Sequence, residues 1–141
     1  MDTKILIPVN DSPTTQQTID DIITYKEKFP PQLVLLHIIN DQLAYRMIPD
    51  FQIEMVRENA EKAARHRLEM LAEKLREAGF SIELRLEFGA PRRVIPQIAN
   101  EEEFQLLVIG RKVKSGEIRD VLFGSVANYV LHNVKCPVLL F

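Results

Sequence analysis

The chain has one cysteine, no tryptophan and only five glycines in 141 residues. A lone Cys136 excludes an internal disulfide framework and fits a reducing compartment, so a cytoplasmic location is expected. No apolar run approaches the roughly 18–20 residues that span a bilayer. Met1-Asp2-Thr3-Lys4 leads directly into a strand-like run, which is not the pattern of a secretory leader. A net charge of −2 gives no global attraction to nucleic acid or to an anionic membrane, so any basic site has to be local. Also missing are the GxGxxG fingerprint, the GxxxxGK[ST] loop and a serine nucleophile elbow. His66 and His132 have no metal-ligand partners at useful spacing, so no metal site is expected.

What is present is an ordinary globular composition, 46% apolar and 27% charged, over a length suited to one substantial core. A single domain over residues 1–141 is expected. Lys4-Ile5-Leu6-Ile7-Pro8-Val9 is a nearly continuous apolar run, the mark of a strand covered on both faces. Pro8 lacks an N–H and should stand where the ladder stops. Asn10-Asp11-Ser12-Pro13 is a helix-start signal. The helix it opens should turn Ile19, Ile22, Ile23, Tyr25 and Phe29 toward a core, with Pro30-Pro31 as its stop.

Leu33 to Ile39 reads as a second buried strand. The longest helix runs from about Phe51 to Ala78, with Val56, Ala60, Ala64, Leu68, Leu71 and Leu75 on its apolar face. Gly79 suits its C-cap, and the opposite face carries Glu58, Glu61, Arg65 and Glu69 as solvated ion pairs. Ile82, Leu84, Leu86 and Phe88 alternate with Glu83, Arg85 and Glu87, as in a half-exposed edge strand. Gly89-Ala90-Pro91 turns into a short helix holding Val94, Ile95, Ile98 and Ala99. Pro96 inside it predicts a late start or a distortion. Cys136–Phe141 closes the chain as a fifth strand.

The order β-α-β-α-β-α-β-α-β predicts right-handed crossovers and a parallel α/β sheet with helices on both faces. The half-exposed third strand fits the outer place in the order 3-2-1-4-5. Strands 1 and 4 then meet at the switch point, where such sheets bind ligands. The stretch that organises the chain lies there: Leu106-Leu107-Val108-Ile109-Gly110, followed fourteen residues on by Gly124-Ser125. The glycine permits a sharp turn off the sheet. The intervening loop holds Arg111, Lys112, Lys114 and Arg119 against Glu117 and Asp120, and Gly124-Ser125 opens an apolar-periodic helix with Val126, Val130, Leu131 and Val134. A basic loop over a helix N-terminus favours an anion, so a phosphate site is expected. His37 reads as a core or switch-point histidine with one hydrogen bond, and Cys136 as a small packing residue.

Three stretches resemble the universal stress protein family. They are Ile5 to Ser12, Leu35-Leu36-His37-Ile38-Ile39, and Val108-Ile109-Gly110 through Phe123-Gly124-Ser125-Val126-Ala127 to Lys135-Cys136-Pro137-Val138. The similarity in order and spacing covers the whole chain. It implies an adenine nucleotide α-hydrolase-like, Rossmann-like fold and, in one branch, ATP binding through Gly-two residues-Gly-nine residues-Gly-Ser/Thr. Carried over by position, Gly110, Arg111, Gly124, Ser125 and Val126 would face phosphates, and Pro8, Val9, Asn10 and Ile38 would surround adenine and ribose. The implied ligand is ATP or another adenine nucleotide, with Mg²⁺ or Mn²⁺ as its counter-ion. The resemblance also implies a homodimer through the Cys136–Phe141 strand, whose uncharged edge invites pairing with a second copy.

This sequence departs from the pattern in three places. Val113 stands at the second glycine, ten residues rather than nine separate it from Gly124, and Asn10 replaces an Asp. Two readings follow. One is a stress-response or signalling module that binds nucleotide with little or no turnover. The other is a dimeric interaction protein of the same fold that has lost the nucleotide. A dedicated enzyme is disfavoured because the proposed site has no evident general base. A phosphoacceptor receiver domain fails too: Phe88-Gly89 occupies the place of its aspartate, although Asp11 and Asp41 fall near strand ends.

Overall fold

Short apolar runs become β1 (Ile5–Pro8), β2 (Gln32–Ile39), β3 (Ser81–Phe88), β4 (Leu106–Ile109) and β5 (Val138–Leu140). They alternate with α1 (Pro13–Thr24), α2 (Asp50–Glu77), α3 (Pro91–Glu101) and α4 (Ser125–Asn133). The computed structural model describes residues 4–10, 12–40, 48–110 and 125–141. Readings that fall on Asp11, Asp41 or the loop from Arg111 to Gly124 lie outside them. All pairings are parallel and the sheet order is β3-β2-β1-β4-β5, as expected from the chain order.

The alternation of side chains across the sheet divides the core in two. Ile5, Ile7, Leu33, Leu35 and Val108 face α1 and α2, meeting Ile19, Ile22, Leu68, Leu71, Ala72 and Leu75. Leu6, Val34, Leu36, Leu107 and Ile109 face α3 and α4, meeting Val94, Ile95, Ile98 and Val130. Each fully buried Leu or Ile side chain contributes about 1.5–3 kcal/mol. This magnitude explains why α3 runs from Pro91 straight through Pro96 rather than starting late. An interior proline costs about 3 kcal/mol, and burial of Val94, Ile95 and Ile98 together outweighs it.

Three further expectations shift. α1 ends at Thr24, and a 3₁₀ turn over Lys26–Lys28 precedes the prolines. Tyr25 is 53% exposed rather than a core residue, because it lies past the last turn of α1 and stacks on Phe141 at 6.1 Å between ring centroids. In α2 burial begins only at Ala64; Val56 and Ala60 are half-buried, and Phe51 and Met55 on the first turns are exposed. Gly79 follows the C-cap residue Ala78 with φ +104, the left-handed conformation that ends the helix. β3 lies at one edge as expected, and Arg85 on its polar face pairs with Glu87 and Glu102. Those carboxylates hold the Arg85 pKa above its ordinary value, the Glu102 hydrogen bond being the larger cause.

Gly110 sets how closely α1 approaches the sheet. A Cβ placed there would lie 2.0 Å from Thr18 Oγ1 and 2.9 Å from Thr14 Cγ2. Its φ is not left-handed, so close packing rather than a sharp turn requires the glycine.

Two stability measurements check this description. Gly110→Ala should destabilise by about 1–3 kcal/mol in denaturant unfolding, since overpacking forces strand and helix apart. Combining it with Thr18→Ala should recover part of that loss. Glu103, with φ 55, sits in the left-handed region just after α3 without being glycine. Glu103→Gly should therefore stabilise by about 0.5–1 kcal/mol in the same assay.

Candidate functional site

The register brings the expected strand ends to one level. Pro8 pairs with Leu36 and Leu6 with Leu107. Continued past the last bonded pairs, the same offsets set Val9 between His37 and Gly110, and Asn10 beside Ile38. This is the switch point: β2 lies on one side of β1 and β4 on the other, at their carboxyl ends.

Asn10 clamps the turn from β1 into α1. Its Oδ1 accepts hydrogen bonds from Ser12 N–H (2.9 Å), from Ser12 Oγ and from Thr15 Oγ1 (2.8 Å), and its own N–H donates to Thr15 Oγ1 (2.9 Å). Thr15 is buried, with 6% of its surface exposed, so this exchange is shielded from water. A backbone N–H can only donate, so the amide atom facing Ser12 must be Oδ1. The group left to Asn10 is therefore Nδ2, a pure donor. Ser12 stands at the N-cap with Pro13 at the first helical position; its side chain makes no cap hydrogen bond, and its carbonyl accepts from Thr15 N–H (3.1 Å).

His37 makes the one hydrogen bond expected of it. Nδ1 lies 2.9 Å from the carbonyl oxygen of Val9. A carbonyl only accepts, so Nδ1 carries a proton in this bond. Val9 N–H in turn donates to the carbonyl of Leu36 (2.8 Å), so the tip of β1 is tied to β2 by both main chain and side chain.

The remaining expected residues separate into accessible and covered groups. Pro8 is half-buried, Asn10 is exposed, and Val126 in the first turn of α4 is 36% exposed. Val9 (7%) and Ile38 (8%) bury their side chains on opposite faces of the sheet, leaving mainly backbone for a ligand. Ser125 is the first residue of α4. Arg111 and Gly124 fall outside the described residues. Cys136 is half-buried, and burial pushes its thiol pKa up, which suits a packing residue rather than a nucleophile. Among the described residues no group of three potential metal ligands converges. Nor is any helix long and apolar enough to cross a membrane.

Two features of the site were missed by reading the sequence. One is the capture of Asn10 Oδ1 by three donors. The only sequence signal was the presence of hydroxyl residues at positions 12 and 15, five residues or fewer beyond the asparagine. The other is that α2 brings Arg67 to the strand tips, lining a pocket with Val9, Asn10, His37, Ala64, Leu68 and Leu71. Helical periodicity identifies the buried face of α2, but not which turn of that face lies over which strand end.

Comparison with known proteins agrees with this architecture. The family model described as "Universal stress protein family" matches residues 1–141. Universal stress protein Sll1388 of Synechocystis is 28% identical, over 97% of this chain and 96% of its own. The solved structure of MJ0577, a universal stress protein of Methanocaldococcus jannaschii, superposes with a TM-score of 0.77 at 25% identity, covering 98% of this chain and 94% of that one. A universal stress protein solved in complex with cAMP has the same fold, with a TM-score of 0.68 at 22% identity over 99% of this chain and 95% of its own. Strand order, switch-point geometry and a match over the full length converge: the chain belongs to the universal stress protein family.

Proposed function

We propose that the protein is a stress-response or signalling module that binds ATP or another adenine nucleotide at the carboxyl ends of β1 and β4, with little or no turnover. The observation that carries this reading is the clamped end of β1. Asn10 is held by four hydrogen bonds and Val9 by two, so the strand tip beside Gly110 is ordered before any ligand arrives. The binding of cAMP by a protein of the same fold supports the choice of nucleotide.

In this reading Pro8 gives an apolar surface for the base. Asn10 Nδ2 donates to it or to the ribose, and Ile38 contributes backbone groups. Gly110, Arg111, Gly124, Ser125 and Val126 take the phosphates, using N–H groups at the start of α4 and the positive end of its dipole. A Mg²⁺ or Mn²⁺ ion would accompany the phosphates as their counter-ion. The protein works in the cytoplasm as a homodimer through the Cys136–Phe141 strand, because β5 is the open edge beyond β4.

One observation favours the second reading, an interaction protein that has lost its nucleotide. The absent side chain of Gly110 is fully accounted for by Thr14 and Thr18 of α1, so that glycine needs no phosphate to explain it.

Thermal unfolding separates the two. ATP or AMP should raise Tm, because a ligand selective for the native state stabilises it by about 2.7 kcal/mol at a hundredfold its Kd. Gly124→Val should leave the domain folded and abolish the shift. An unchanged Tm at millimolar nucleotide, with and without Mg²⁺ or Mn²⁺, selects the interaction protein. Analytical ultracentrifugation at micromolar concentration should give twice the 16.3 kDa chain mass, and a monomer rules out the β5 interface.

A further inference from the structure

We infer that the open edge of β3 is a docking strand, which takes an extended, basic segment of a partner protein as a sixth strand of the sheet. The hydrogen-bond register settles which groups β3 leaves over. Ser81 N–H donates to the carbonyl of Pro31 (2.7 Å), and Gly89 N–H to the carbonyl of Ile39 (3.0 Å). Successive residues of a strand turn their N–H and C=O groups to alternate sides, so Glu83, Arg85 and Glu87 also face β2. Ile82, Leu84 and Leu86 point theirs away from the sheet. Among the described residues nothing bonds to those groups, and β3 pairs with β2 alone. At eight residues against three for β5, β3 is also the longer of the two open edges.

The side chains say what should lie beside it. Arg85 pairs with Glu87 (2.9 Å) and with Glu102 at the end of α3. Glu83 is exposed and has no cation among the described residues. Three carboxylates therefore share one guanidinium along this side of β3. A strand laid antiparallel sets its residues opposite Glu83, Arg85 and Glu87 in the non-hydrogen-bonded pairs. There Cα atoms come within about 4.5 Å and side chains are closest. Cations opposite Glu83 and Glu87, with a neutral residue opposite Arg85, offset the acidic excess.

On the other side of β3, Ile82, Leu84 and Leu86 are half-buried against the core beneath α2. Apolar residues at the intervening positions of the partner extend that surface. The segment that fits thus reads basic, apolar, neutral polar, apolar, basic. Main-chain bonds supply its affinity and the alternate side chains its specificity. A second copy of β3 would bring the same excess of carboxylate to the edge, so it fits less well.

The test is amide hydrogen exchange of ¹⁵N-labelled protein, alone and with the end-blocked peptide Val-Lys-Val-Thr-Val-Lys-Val. Without peptide, the amides of Glu83, Arg85 and Glu87 should exchange slowly and those of Ile82, Leu84 and Leu86 fast. Saturating peptide should slow the second set at least about tenfold. The same peptide with Glu for Lys should give no protection, and Glu83→Lys should weaken the Lys peptide about fivefold. Glu83 is exposed, so the fold should survive that change. No saturable protection at millimolar peptide, binding that leaves Ile82, Leu84 and Leu86 unprotected, or equal binding of the Glu peptide would each overturn the assignment. So would protection that rises with protein concentration alone, which gives the edge to a second copy. None of these outcomes depends on whether the β1/β4 site binds nucleotide.

Discussion

The carboxyl end of the sheet depends on how the chain leaves β1. Two side chains from different elements hold that exit, Asn10 across the turn into α1 and His37 from the neighbouring strand. Each bond is worth on the order of 1 kcal/mol net, so neither decides the stability of the fold. Their effect is positional. Together they hold Val9 and Asn10 at a level shared with Gly110, and α1 then sits close enough to the sheet that only glycine fits beneath Thr18. The clamp on β1 and the close packing on β4 are therefore two sides of one constraint.

This constraint also explains why the two faces of the switch point differ in chemistry. On the α3/α4 side the strand ends present Ile38 and Ile109, and the buried hydrophobics of α3 lie against them. On the α1/α2 side, hydroxyl groups from α1 and a histidine from β2 interrupt the apolar surface.

Much of the architecture was legible in the sequence. Continuous apolar runs gave the central strands, and the strict alternation from Ile82 to Phe88 placed β3 at an edge. Burial on two faces or on one leaves a direct mark on residue order, and for that reason topology could be read. The misread elements are those where a local signal competed with packing. Pro96 looked like a break in α3, but the apolar face of that helix overrides it. Tyr25 looked like part of a core face, yet helix α1 had already ended. Gly110 was read correctly as special but for the wrong reason, since a glycine required for a turn and one required by a neighbouring helix look alike in sequence. The tertiary role of Arg67 was invisible because it depends on where a 28-residue helix lies along the sheet.

The central claim is that the ordered strand ends form a nucleotide site. It is tested most directly by titrating ATP into ¹⁵N-labelled protein and mapping the backbone amide shifts onto the structure. The account predicts saturable changes centred on Val9, Asn10, Ile38, Gly110 and Ser125, fading toward the amino ends of the strands. Saturable changes confined to another surface, or no saturable change at millimolar ATP, would contradict it.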